Sequence, residues 1–461
     1  MDIFKKKSLE QLRDSMQRTD LQKNLKAKDI ALLGVGAVLG VGIFVATGEG
    51  AHMAGPGIIL SFVLAGMVAC LCGLCYCELA TMFPVAGSTY SYAYIAFGEF
   101  IAMIVGWCLT AEYIVAGSAV ASGWSATFKG ILQSIGIVLP QAISSSPAKG
   151  GIIDLPAVAI IAMLTVLLYN GIQESSKVNN IIVGIKISII IIFIFLGISH
   201  INVFNYKPFM PHGWKGVFTG ASTVFFSFLG FDAISTSAEE AQNPEKDVSR
   251  GIIMCLVIVC ILYVSVAVVL TGIVPYNEIV SDNAVPESLA RLGINWGSAL
   301  VGVGAIFGMI STIIAVLYGQ VRVFMAMSRD GLIPKSFSKI HRTHKTPWIA
   351  TIIAGIVSSL IAGFLPLNII VEFVSTGTLL AFIVVSAAVI YLRKVMPDIE
   401  RKFKCPGVPY TPIITIISCI ALLISMRLIT WIGFIIWLVI GLIIYFIYGR
   451  KHSIVQNKSK N

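Results

Sequence analysis

The chain has 461 residues, 57% hydrophobic and only 12% charged, with a mean hydropathy of +0.88 and a formal charge of +10. A soluble domain carries about 25% charged residues, so the composition excludes a soluble globular protein and points to a polytopic α-helical membrane protein. The positive balance follows from where the basic residues lie and implies no nucleic-acid partner.

Residues 1–29 form a polar, basic tail. Leu9, Leu12 and Met16 recur at helical spacing and Ser8 with Gln11 resembles a capping box. A short amphipathic helix at anionic inner-leaflet lipids is expected there. No apolar run precedes Ile30, too late for a secretory signal. Twelve spans follow, at about residues 30–54, 58–83, 100–122, 155–170, 178–198, 216–237, 251–274, 296–324, 348–365, 369–392, 412–427 and 430–448. With the N-terminus in the cytoplasm, about 26 Lys/Arg fall inside and about six outside (Lys129, Lys149, Lys207, Lys215, Arg291, Arg427), which sets the orientation and an even span count.

Span 1 carries Gly34, Gly36, Gly40 and Gly42, each weakening a helix by roughly 1 kcal/mol relative to alanine. Close helix packing accounts for Gly36 and Gly40, a small-x3-small pair. It leaves the Gly40/Gly42 doublet unexplained, and a break with a second half-helix starting near Gly42 is expected. Its unpaired N–H groups and positive dipole end suit a carboxylate. Span 6 has a matching feature in residues 225–232, where Asp232 is read as the N-cap of the second half-span rather than a substrate contact. Interrupted segments five spans apart indicate an inverted repeat with its site at the midplane. The expected divisions are 30–199 and 200–392 for the repeats, 393–448 for a cytoplasmic loop and spans 11 and 12, and 449–461 for a cytoplasmic tail.

Span 5 holds Lys186, whose position at bilayer depth costs roughly 2.5–3.5 kcal/mol on insertion and marks a functional site. Glu112 in span 3 and Glu372 in span 10 are further acids at membrane depth. Each reads equally as a proton carrier or as a structural acid at a helix end, and Asp232 is kept with them. Cys70, Cys72, Cys75 and Cys77 point to several helix faces and form neither a disulfide nor a metal framework. No phosphate-binding loop, metal-ligand helix or nucleophile–base motif is present, so no cofactor, metal or enzymatic activity is expected.

These residues resemble the amino acid–polyamine–organocation superfamily, and within it the bacterial branch of the cationic amino acid transporter family. The resemblance rests on residues 40–44, 77–88 with Tyr90 and Tyr94, 227–233 with 238–244, 322–334, 377–382 and 397–409. It implies the leucine-transporter fold, a 5+5 inverted repeat plus two spans, and alternating access. It also implies that the substrate carboxylate meets the N–H groups of Val41, Gly42 and Ile43, beside Gly40. The amino group would meet the carbonyls of Val38, Phe226 and Leu229, with Phe226 gating one side. Gly117, Phe228 and Met309 are the expected specificity residues. Val41 stands where the family usually has Thr or Ser, which removes a hydroxyl contact. Lys186 falls where sodium-coupled relatives of this fold hold sodium. An ammonium that loses and regains its proton there would couple transport to protons; the other reading is a permanently charged pin between spans. The implied function is secondary active, proton-coupled symport of small or medium neutral L-amino acids, with no acid expected to face a guanidinium. Cationic amino acid or polyamine transport or exchange, and amino acid sensing without transport, are the alternatives.

Overall fold

The computed structural model describes residues 4–6, 25–40, 42–84, 87–171, 176–236, 241–279, 283–344 and 346–457. The expected amphipathic helix of the tail and Val41 lie outside these residues. Among the described residues there is no β-strand, only isolated bridges such as Leu25 with Ala241. Among the described residues, seven helical stretches are long and apolar enough to cross a membrane, and three shorter apolar helices, Leu155–Tyr169, Trp348–Phe364 and Tyr410–Ile424, accompany them. With the two interrupted segments these make twelve spans in an all-α polytopic bundle.

Span 1 is split into Ala27–Val38 and a second half in which the π-helical turn Gly42–Ala46 runs into Thr47–Ala54. Span 6 is split into Gly213–Phe225 and the short helix Ala233–Thr236. The uninterrupted spans agree with the apolar runs to within a few residues at most ends. Span 3 is the main departure, because its helix runs from Glu99 to Ser134, about three turns beyond its expected end. Lys129 lies in this extension. Its ammonium bends to the Ser144 carbonyl and to Asp154 at 3.3 Å, so the stem stays along the helix while the charge is paired. Asp154 also caps span 4, accepting the Ala157 N–H at 3.3 Å beside Pro156 at the first turn.

Spans 2, 3 and 4 pack on those five later, 7, 8 and 9, and the two breaks pack on each other. Spans 11 and 12 lie against span 10, and span 12 also touches span 3. The first described residues, 4–6, and the last, 445–457, meet at the start of span 3. The Glu99 N–H donates to the Lys5 carbonyl at 3.1 Å, and the Glu99 carboxylate accepts from Tyr94 (3.1 Å), Tyr445 (2.9 Å) and the Ser453 hydroxyl. These two described segments therefore lie on one face of the bundle.

Candidate functional site

The span 1 helix stops where glycine makes helix expensive. Leu39 leaves the helical region (ψ 82°), and the Gly40 N–H turns back to the Val38 carbonyl at 2.9 Å. The chain becomes helical again at Gly42, and the Thr47 hydroxyl donates to the carbonyls of Ile43 (3.0 Å) and Gly42 (3.3 Å). In span 6, one 3-10 turn, Phe226–Phe228, gives way to extended Leu229 and to Gly230 at φ +104°, a conformation that favours glycine. The two breaks touch. A Cβ on Gly42 would sit 2.6–2.7 Å from the Cβ, Cα and Oγ of Ser227, and one on Gly230 would sit 3.2 Å from Ala37. Tyr263 of span 7, fully buried, has its hydroxyl 2.9 Å from the Val38 carbonyl and 2.7 Å from the Ser227 carbonyl, tying the ends of both first half-helices to one side chain.

Between the breaks lies a cavity of about 40 Å³ as measured by the centres of water molecules, room for roughly three waters at 10–15 Å³ each. Span 1 lines it with Ala37, Val38, Gly40 and Gly42; span 3 with Glu112, Tyr113, Ala116 and Val120; span 6 with Phe226, Ser227, Leu229 and Gly230; span 8 with Thr312 and Val316. Of the residues singled out in the sequence, Val38, Gly40, Gly42, Phe226 and Leu229 are in this lining, and Glu112 joins them. Ile43, Gly117, Phe228 and Met309 are not. Gly117 looks toward Leu317, Val316 and Ser358. Phe228 packs edge-on against Phe62 and Tyr263, and Met309 is fully enclosed one turn before Thr312. The sequence reading passed over Tyr113, Ala116 and Val120. Their i, i+3, i+7 spacing marks one helix stripe, and Gly117 is rotated about 100° from Ala116.

The backbone groups divide. The N–H groups of Gly42 and Ile43 open the second half-helix, where the first turn has no intrahelical acceptors. The Val38 carbonyl, expected for the amino group, is already engaged by the Gly40 N–H and the Tyr263 hydroxyl. The Phe226 carbonyl accepts the Leu229 N–H at 3.1 Å and keeps a second lone pair.

Lys186 is 1% exposed. Its Nζ donates to the Gly36 carbonyl at 2.8 Å and to the Thr312 hydroxyl at 3.0 Å, joining span 5 to the last turn before the span 1 break and to span 8. Thr312 is also within 3.4 Å of the Gly36 and Leu39 carbonyls, and it lines the cavity, so one hydroxyl connects the lysine to the site. Asp232 directly precedes the second half of span 6, and its backbone carbonyl accepts the Ser235 N–H at 2.9 Å. Its carboxylate receives the Tyr113 hydroxyl at 3.4 Å. The expectation of a wall without an acid is corrected by Glu112, which is buried and in the lining, with Oε2 lacking a hydrogen-bond partner among the described residues. Its helix spacing to Ala116 turns it inward. Glu372 is elsewhere: its carboxylate is held by Arg427 at 2.6 Å and by the Thr430 hydroxyl at 2.7 Å, at the junction of spans 11 and 12.

Two half-helix ends facing one buried cavity, inside a bundle of apolar spans, define a membrane transporter of the broken-helix class. Comparison with known proteins carries this further. The family model for amino acid permeases matches residues 25–458. The chain is 45% identical to the branched-chain amino acid permease BcaP of Bacillus subtilis (strain 168), over 98% of both chains. It is 44% identical to the methylthioribose transporter of the same organism, over 98% of this chain and 99% of the relative. It is 32% identical to the branched-chain amino acid permease BcaP of Lactococcus lactis subsp. cremoris (strain MG1363), over 98% of this chain and all of the relative. The chain belongs to the amino acid permease family: it is a multi-pass membrane protein for amino acid transport and not an enzyme.

Proposed function

We propose that this permease is a proton-coupled symporter of small or medium neutral L-amino acids, working by alternating access in the cell membrane with both ends in the cytoplasm. The observation that carries the reading is the pairing of a half-helix N-terminus at Gly42 with a wall of Ala116, Val120 and Val316. A zwitterion's carboxylate finds N–H donors on one side, and an aliphatic side chain finds apolar surface on the other. Phe226 and Leu229 supply carbonyls for the amino group. Charge-assisted hydrogen bonds of this kind contribute roughly 1.5–3 kcal/mol each and replace hydration lost on entry. Two of the relatives bear names of branched-chain permeases, which supports an aliphatic side chain in this wall. The methylthioribose named for a third has no carboxylate for the Gly42 end.

Lys186 is the proposed coupling group. A charged amine satisfies the Gly36 carbonyl and Thr312 in this arrangement. A conformational change that moves span 1 away from spans 5 and 8 removes those partners, so the two states hold the proton with different affinity, and a pH gradient biases them. Glu112, on the cavity wall, is a second proton carrier in this scheme. The same acid is what favours the alternative, a cationic amino acid whose side chain it would neutralise.

The test is uptake into proteoliposomes loaded with no amino acid, under an imposed gradient with the outside acidic. Accumulation of L-leucine or L-alanine, lost in Lys186→Ala and not restored by Lys186→Arg, is expected, because guanidinium does not readily release its proton. Uptake that needs amino acid inside would make the protein an exchanger, dominant competition by arginine would make it a cationic carrier, and ligand-induced stabilisation without flux would make it a sensor. Full gradient-driven accumulation in Lys186→Ala would reduce the lysine to a structural pin.

A further inference from the structure

The loop between spans 8 and 9 contains an open basic hollow that shares no lining residue with the transport cavity. It has a volume of about 510 Å³ and is lined by Lys339, Ile340, His341, Arg342, Thr343 and Trp348. The run 331–347 includes no Asp or Glu. Lys339 and Arg342 are exposed, and neither side chain has an ion-pair or hydrogen-bond partner among the described residues. The backbone between them is held in place. The His341 N–H donates to the Thr346 carbonyl at 2.7 Å, and the Thr346 hydroxyl donates to the Tyr169 carbonyl at 2.8 Å. His341 Nδ1 accepts the N–H groups of Thr343 and His344, each at 3.3 Å. With Nδ1 an acceptor, the ring proton is on Nε2, which makes His341 a donor to an outside group. The hollow lies where two apolar helices end. Trp348 is the first residue of span 9 and Tyr169 the last of span 4, both aromatics suited to the headgroup level. Ile340 is 51% exposed beside the two cations.

We infer that this hollow is a binding site for the headgroup of an anionic phospholipid, with Lys339 and Arg342 on the phosphate, His341 as a further donor, and Ile340 and Trp348 against the upper acyl chain. Charge complementarity selects the partner: unpaired cations and no acid on one side of the contact, a phosphodiester at fixed depth on the other. An apolar residue next to the charges suits a lipid and gives nothing to a free anion.

The test uses the purified full-length chain in a neutral detergent, titrated with dioleoyl phosphatidylglycerol and, in parallel, with dioleoyl phosphatidylcholine and inorganic phosphate. Binding is read by native mass spectrometry and by melting temperature. Phosphatidylglycerol alone should bind and stabilise. In Lys339→Gln/Arg342→Gln its affinity should fall about thirtyfold, at roughly 1 kcal/mol per surface cation and 1.4 kcal/mol per decade. The control pair Lys394→Gln/Lys404→Gln, exposed cations at the end of span 10 and in the loop after it, should stay within about threefold of the parent, because neither lines the hollow. Undiminished binding in the first pair, an equal loss in the control pair, or equal stabilisation by inorganic phosphate would each overturn the proposal.

Discussion

Replacing Gly42 by alanine adds one methyl group at the place where the two breaks meet. That carbon would sit 2.6 Å from Ser227 Cβ, 2.7 Å from Ser227 Oγ and 2.7 Å from Ser227 Cα. Favourable contact between carbons begins at about 3.5 Å, so the breaks must separate by nearly an ångström. Ser227 Cα is a backbone atom, and no rotamer change moves it out of the way. Overpacking of this kind costs about 1–3 kcal/mol, and here the strain lands on both rims of the cavity. If it is expressed in the liganded state, affinity falls about 5- to 150-fold at 1.4 kcal/mol per decade. The assay is amino acid binding to the purified variant, with melting temperature measured on the same sample. Gly184→Ala is the matched control: it also adds a methyl to a helical glycine, and a Cβ there meets nothing within 4 Å. Adding Ser227→Gly to Gly42→Ala removes two of the three collisions and leaves the one with the residue 227 backbone, so recovery should be partial, and the double-mutant cycle measures it. Amino acid esters and decarboxylated analogues should bind to neither parent nor variant. Unchanged affinity and melting temperature in Gly42→Ala would refute the close approach and remove the Gly42 end as the carboxylate site.

Arg427→Gln leaves the buried Glu372 carboxylate with only Thr430; because Arg427 is itself 40% exposed, the loss should be about 1–3 kcal/mol, below that of a fully buried pair, read as a lower melting temperature with the pH profile of uptake unchanged. Tyr263→Phe keeps the ring against Phe62 and Phe228 but takes the hydroxyl from the Val38 and Ser227 carbonyls, so substrate affinity should fall about tenfold, the worth of one buried carbonyl left short of a donor, while the protein remains folded; full affinity would show that the two breaks need no tie. For orientation, a membrane-impermeant maleimide should label Lys451→Cys only after permeabilisation, in a background without other reactive thiols, and labelling of intact cells would reverse the topology. The nearby Ser453 is unsuitable for this, since it is fully buried against Glu99.

The amino-acid sequence by itself determined where the chain crosses the membrane and where it breaks. Runs of apolar residues must be helical in lipid because their backbone groups have no other partners, and the Gly40/Gly42 and Gly230 positions are where helix is weakest. Lys186 and the membrane-depth acids were visible for the same reason, as charges whose burial must be compensated. Only the tertiary structure decided what compensates them. Glu372 meets Arg427 from 55 residues away, Lys186 meets Gly36 and Thr312 from 150 and 126, and Tyr263 joins two breaks from a span that carries no signal of its own. Nor could the sequence say which stripe of span 3 faces the cavity. In a soluble protein the polar face of a helix marks the outside, but in a bilayer the lipid-facing and protein-facing sides are alike in hydrophobicity. Gly117 and Ala116 are therefore equal candidates until packing against span 8 turns Tyr113, Ala116 and Val120 inward and brings Glu112 with them.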